Sequence, residues 1–393
     1  GCCGGTGNGN AFFGYGSGKC GYNPIGNTYI GYNAAKGHSD STGGSGGSCN
    51  VAVGFNAATN IRTGSNNVLI GRYVGASHST ASNNIAFGNS AMFYTLSGGG
   101  NIALGSQVLE KNLTGFLNVA LSCNALYNNT TGACNIAIGH NALYCNTTFN
   151  TNIAIGRMAG YKATCGPNLL IGEHAGCIIN GAQNTIVGQN AGKQSTEATG
   201  NSFFGQCAGY YNSTGDRNAY VGCRAGFGNT TGSYNIAFGL VAGPQTCGAT
   251  GSYNATLGYN SGCSLTSGSY NIFIGTKAGN TISSGCRNIA IGCDVELPSA
   301  TGDDQLAIGC GTGRWIAGDS SFKVTLAGIV TATAGGAVCA NSTTLKAYAV
   351  DTDIFSITRS DHASSKLFRI FQDSTSGGGA GGAHINTFNR HLM

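Results

Sequence analysis

Charge is what this chain has least of. Asp, Glu, Lys and Arg make up 8 % of its 393 residues; proline occurs 4 times, methionine 3 times and tryptophan once. Charge that low is unusual for a soluble surface, so Asn, Ser, Thr and backbone groups must carry the solvation. The net charge of +5 is small and spread out. With no Lys/Arg cluster, the electrostatic footprint of a nucleic-acid partner is missing. No apolar run approaches the length of a membrane span and no secretory signal opens the chain, so membrane insertion is not expected. There is no initiator Met. Thr6-Gly7 sits where the Ser/Thr-Gly of an earlier unit would sit, so the chain is expected to begin within a repeat.

Glycine, by contrast, is abundant at 68 residues, and cysteine at 17. The glycines belong to a repeat. Eighteen times the chain spells Asn, two residues, a bulky apolar residue, Gly, two residues and a small residue, from Asn10 through Asn135 and Asn152 to Gln305. Most steps are seventeen residues, two are sixteen, one is nineteen and one is twenty-three. A fixed period of this length marks a repeat architecture. A helical hairpin needs about thirty-three residues, whereas short strands and turns fit the unit.

With the unit numbered from its Asn, β-branched and aromatic residues cluster at positions 2 to 4, as a strand requires. Position 4 (Ile138, Ile155 and Ile171, for example) is never polar, which predicts burial in every unit. Position 5 is Gly except at Ser122, which suggests a turn or a close backbone approach. Position 8 is nearly always Ala, so something packs tightly there. Units close on Ser/Thr-Gly turns such as Thr131-Gly132. Asn at position 1 is expected to stack as an amide ladder. The fold class is therefore all-β: a parallel β-solenoid (β-roll) of about 18 coils, ~80 Å long at ~4.8 Å per coil. One bulky residue per coil is a thin core for the ordering cost. The expectation is a homotrimeric fibre, packed through the position-8 Ala row.

The shaft is read as residues 1–313, with a Gly/Ser-rich insertion at His38–Ser48 and a smaller one near Pro244–Gly251. The period then stops. Residues 314–393 hold Trp315 and 12 of the 33 charged residues, and read as a C-terminal β-rich cap or tip domain. Its expected strands are Phe322–Leu326, Lys346–Val350, Ile354–Thr358 and Lys366–Phe371, before a glycine run at Gly377–Gly382.

Asn118–Gly132 reads NVALSCNALYNNTTG and Asn135–Thr148 reads NIAIGHNALYCNTT. This wording resembles the Asn-Thr-Ala-Ile-Gly-Tyr-Asn-Ala-Leu repeats of phage tail-fibre proteins. Gly328–Ala334, GIVTATA, is similar to linker wording in virion structural proteins of marine cyanophages. The unit also resembles the Asn-Ser-Val-Ala-Ile-Gly repeat in the heads of trimeric autotransporter adhesins, which are trimers of parallel β-rolls. The resemblance implies a structural, non-enzymatic tail fibre on the virion, assembled in the host cytoplasm, that attaches to the host surface. Its implied partners are further copies of itself in a homotrimer, other virion tail proteins, and a host-surface glycan or protein receptor. The alternative is a bacterial cell-surface trimeric adhesin. A depolymerising tailspike would need an acidic pair in a groove.

No catalytic, cofactor or metal site is read from the sequence. Asp294, Glu296, Asp303 and Asp304 are the densest acidic group and read as a solvated turn. His38, His78, His140 and His174 read as scattered surface residues. Asn129, Asn146 and Asn229 open glycosylation sequons that fall on the repeat's own turn. Tyr127, Tyr144, Tyr161 and Tyr210 share position 10, as a packing ladder or as an aromatic face for glycan. The cysteines wander through the repeat and read as small apolar substitutes in a reducing compartment; Cys293 and Cys310, one period apart, should stack.

Overall fold

A computed structural model describes residues 8–19, 25–37, 47–321 and 323–326, together with three later strands, Phe355–Thr358, Lys366–Phe371 and His384–Asn386. The expected strand Lys346–Val350, the glycine run and most of the first insertion lie outside the described residues. Every described element is a strand. Each of the eighteen repeat units supplies one, from β1 (Ala11–Phe13) to β18 (Leu306–Cys310). Each pairs in parallel with the strand one unit on: Ile136 lies beside Ile153, and Ile138 beside Ile155. The parallel β-solenoid with one coil per unit is therefore present. The unequal steps change only the turns. Across the nineteen-residue step, Ile236 still registers with Ala255.

Two features lock the register. The first is the amide ladder, whose members from Asn27 to Gln305 are buried. The Asn135 backbone N–H donates to Asn118 Oδ1 at 2.9 Å, and its Nδ2 donates to that oxygen at 3.1 Å and to the Phe149 carbonyl at 2.9 Å. The side chain thus ties its own coil to the coil before it. The second is the Gly at position 5. A Cβ on Gly139 would lie 2.5 Å from the Gly156 carbonyl oxygen, at a φ of 132° that side chains rarely adopt.

The inside of the coil differs from the expectation on two points. Position 4 is not the core. Side chains alternate across a strand, and the ladder turns position 1 inward, so position 3 points inward with it while positions 2 and 4 point out. Ala137, Ala154, Leu170, Ile186, Phe203 and Tyr220, all at position 3, are buried, whereas Ile138, Ile155 and Ile171 remain partly exposed. The second correction concerns position 8. Ala57, Ala142 and Ala159 are sealed inside their own coil, so that row packs intramolecularly and offers no face to another chain.

The core is filled by complementary sizes at positions 3 and 9. Where position 3 is Ala, as at Ala103, Ala120 and Ala137, position 9 is Leu109, Leu126 or Leu143, all fully buried. Where position 3 is large, position 9 is small: Gly in most coils, and Ala35 beside Tyr29. A Cβ on Gly209 or Gly279 would lie 2.6 Å from the ring of Phe203 or Phe273. Several coils carry two small residues instead, among them Ala52 with Ala58, Ala154 with Gly160, where Leu143 and Leu170 of the adjacent coils reach in, and, in a third, Ala237 with Gly243. A small cavity opens there beside Tyr220, Thr256 and Leu265. The buried Tyr220 hydroxyl lies in this wall without a hydrogen bond of normal geometry, although Asn235 approaches it.

At the C-terminal end, β17 (Ile289–Cys293) and β18 lengthen to five residues. β19 (Gly313–Gly318) then folds back antiparallel on β18, and β20 (Val324–Leu326) pairs antiparallel with β19. The reversal covers the last parallel edge, which would otherwise present unpaired backbone groups. By contacts the chain divides into a unit ending at Gly328 and a second beginning at Ile329. In the second unit, β21 (Phe355–Thr358), β22 (Lys366–Phe371) and β23 (His384–Asn386) form an antiparallel sheet.

Candidate functional surfaces

The outward face of the long sheet is its most distinctive surface. Columns 2 and 4 run the length of the shaft without a charged residue, and column 4 without a polar one. Ile85, Phe87, Ile236, Phe238, Ile272 and Ile274 stand exposed there, Phe238 at 58 %. Soluble monomers rarely leave a continuous apolar patch beyond a few hundred Å² uncovered. This stripe comes directly from the strand alternation.

Two columns border the stripe. Position 17 of the preceding unit lies before each strand and position 6 after it. Their residues vary from coil to coil; at two coils both are amides: Asn83 and Asn89 flank β5 (Ile85–Phe87), and Gln183 and Gln189 flank β11 (Thr185–Val187), all four exposed. At β14 (Ile236–Phe238) and β15 (Ala255–Leu257) the flanks become Tyr234 with Leu240 and Tyr253 with Tyr259, and the stripe widens into a plate.

Aromatic ladders run along several columns. Tyr127 and Tyr144 stack at 5.2 Å between ring centroids and Tyr144 and Tyr161 at 5.3 Å, while Tyr210 stacks on Phe227. Tyr234, Tyr253 and Tyr270 stack at 4.9 Å, within 3° of parallel. Rings stacked this way cover one another's faces and turn their edges to solvent. This favours the packing-ladder reading of position 10, because contact with a sugar ring through its C–H bonds needs a free aromatic face. One end of each of these two ladders is covered by a cation: Lys111 lies over Tyr127 and Arg217 over Tyr234.

The remaining sequence candidates do not converge on one place. Asp303 and Asp304 pair with Arg287, whose hydrogen bond holds the Asp304 carboxyl below its usual range. Among the described residues no three His, Cys, Asp or Glu side chains gather as a metal site would require. His140 is exposed and His174 half-buried, but His78 is a correction: it is fully buried. It occupies position 12, an inward row that the sequence disguises by varying from Ile61 through Thr95 to Asn112. Burial lowers its pKa to about 4. The sequon residues Asn129, Asn146 and Asn229 are buried in that same row. There Asn129 Nδ2 donates to Asn112 Oδ1 at 2.8 Å, and Asn146 Nδ2 to Asn129 Oδ1 at 3.0 Å. A glycosyltransferase would have no access to them. The thirteen described cysteines are free thiols. Cys293 and Cys310 are register partners on adjacent strands.

No family model, curated protein or solved structure matches the chain. Among the described residues no helix is long and apolar enough to cross a membrane. The outward stripe was visible in the sequence as the apolar identity of positions 2 and 4. It pointed to the wrong side because apolar character was equated with burial in the single chain. A rigid β-solenoid of this kind fits a structural role in a fibre or an adhesin.

Proposed function

We propose that the protein is the shaft of a homotrimeric phage tail fibre, without enzymatic activity, assembled in the host cytoplasm and carried on the virion. Its task is mechanical: it holds a receptor-binding end away from the particle, and repeated weak contacts with a host-surface glycan or protein add through avidity. Its other partners are the tail proteins to which the fibre attaches.

The observation that carries this reading is the outward apolar stripe on an uninterrupted eighteen-coil column. A stripe two side chains wide cannot be left in water over ~80 Å, and self-association about an axis along the shaft covers it. The interface therefore lies on columns 2 and 4, not on the sealed Ala row. The tail-fibre assignment draws its support from the repeat wording together with this fibre geometry.

The test is imaging. Antibodies raised against the purified protein should decorate tail appendages of virions in electron micrographs. Decoration of a bacterial envelope instead would overturn the virion assignment in favour of the adhesin.

A further inference from the structure

We infer that Cys293 and Cys310 are a redox pair: oxidation joins them in a disulfide that staples the last two coils at the strand reversal closing the column. Among the thirteen described cysteines they alone share a column on adjacent coils, and both are exposed. Cys207 and Cys223 lie on adjacent coils but in different columns, and Cys145 and Cys177 are two coils apart. Column 6 brings neighbouring side chains into contact elsewhere along the shaft. Gln189 Nε2 donates to Glu173 Oε2 at 3.0 Å, Gln206 Nε2 donates to Gln189 Oε1 at 3.1 Å, and the rings of Tyr15 and Tyr32 stack at 5.4 Å. In those coils the column lies in the turn after the strand. In the last two the strand runs on through it, so that Gly292 pairs with Gly309 and Cys293 with Cys310. Just beyond, the Gly311 N–H donates to the Cys293 carbonyl at 2.8 Å. Parallel neighbours in register hold their Cα atoms ~4.8 Å apart and point their Cβ atoms the same way. That separation lies inside the range of about 4.4–6.8 Å that a disulfide spans.

The step is thiol–disulfide exchange with an oxidised low-molecular-weight thiol such as glutathione disulfide. The thiolate of one cysteine attacks that disulfide, and one glutathione leaves. The thiolate of the other cysteine attacks the protein sulfur of the mixed disulfide, and the second glutathione leaves. Two S–H bonds are lost and one S–S bond forms. The two electrons and two protons end on the two reduced glutathiones. Cys310 is the last residue of β18 and registers with Gly313, the first residue of β19. The bond therefore fixes the corner of the reversal to β17. A reducing compartment keeps the pair open, and passage from the host cytoplasm to the outside closes it. The pairing follows from the coil alone; only its timing rests on the virion reading above.

The experiment exchanges the full chain, purified in reductant, into glutathione disulfide. Peptide mass spectrometry of the unreduced digest should find the 293-to-310 link within a chain that still runs at 39.5 kDa on a non-reducing gel. Dithiothreitol should remove the link. Trp315, the one tryptophan of the chain, lies in β19, so its fluorescence reports on the reversal. Its urea transition should move to higher urea on oxidation and return on reduction. Cys293→Ser should fold as the parent does and lose both the link and the shift. Glutathione adducts at the two thiols with no link between them, or 293-to-293 links between chains, would overturn the pairing. A 293-to-310 link that leaves the Trp315 transition unmoved would overturn the stapling role.

Discussion

At the residue scale, a few side chains set the register of the whole column. Asn135 is buried and uses both ends of its amide, so replacing it leaves the Asn152 N–H without its partner and the Phe149 carbonyl with Asn146 Nδ2 alone. Asn135→Ala is expected to cost about 1–3 kcal/mol for each group left unsatisfied, read as a lower midpoint in chemical denaturation; an unchanged midpoint would remove the ladder from the account of stability. His78 supplies a pH dependence of defined sign. Its folded pKa of about 4 lies below the ordinary value near 6.5. The unfolded chain therefore binds the proton first as pH falls. The stability that neutral His78 confers is complete above pH ~6.5 and is lost as pH drops toward ~4. Glu173 and Asp304 also have lowered pKa values, the first through Gln189 and Arg157 and the second through Arg287. Their contributions are lost as pH falls from the ordinary carboxylate values toward the lowered ones, at the acid end of this window for Glu173 and below it for Asp304. His78→Asn places an amide where Asn112 and Asn129 already sit in other coils. His174, whose pKa is also lowered, by burial first and then by Lys193 and Arg157, acts in the same window, so denaturation midpoints of the variant should fall less steeply between pH ~6.5 and ~4 than those of the parent, and a slope equal to that of the parent would assign the effect elsewhere. The position-1 ladder was legible in the sequence because Asn is almost invariant there. The burial of His78 was not, because position 12 accepts Ile, Thr, Asn, Ala and Ser, and only the coil's geometry shows that it faces inward.

At the scale of the element, the coil is a problem in filling a narrow interior. The reciprocal sizes at positions 3 and 9 mean that volume, not identity, is held constant, and this hid the core from a reading that sought an invariant bulky residue. Period, strand position and the Gly at position 5 were all readable. What failed was the choice of face, since position 4, although always apolar, lies on the outer side of the strand. The size rule makes a prediction at Ala237, the exception beside which a cavity opens. Ala237→Leu should fill the cavity beside Gly243, as Leu170 does beside Gly176. Its three added carbons would contribute ~0.8 kcal/mol each if buried without strain, and repacking offsets part of that, so the thermal midpoint should rise by an amount equivalent to about 1 kcal/mol; a fall would mean that Tyr220 and Thr256 cannot make room. Ala142→Phe reports in the opposite sense. Because Ala142 is sealed inside its own coil, overpacking there should destabilise by ~1–3 kcal/mol or more. It should disturb the fold of the column itself, visible as lost strand signal in far-ultraviolet circular dichroism. Intact folding with assembly alone disturbed would restore position 8 to an interface.

For the whole molecule, the central claim is that a single chain folds into the column and the outward face of its sheet joins three columns into a fibre. Those two levels can be separated by a substitution that touches only the outer face. Ile138 and Ile155 are register partners in column 4 and contribute nothing to the coil interior. Two carboxylates there should leave the coil folded and make association unfavourable, because each would have to be buried without a partner. The most direct measurement is sedimentation equilibrium of the native protein beside the Ile138→Asp/Ile155→Asp double variant, with circular dichroism on the same samples. The account predicts three protomers for the native chain, one for the variant, and the same β-strand spectrum for both. A native protein that sediments as one protomer, with its apolar stripe open to water, would contradict it.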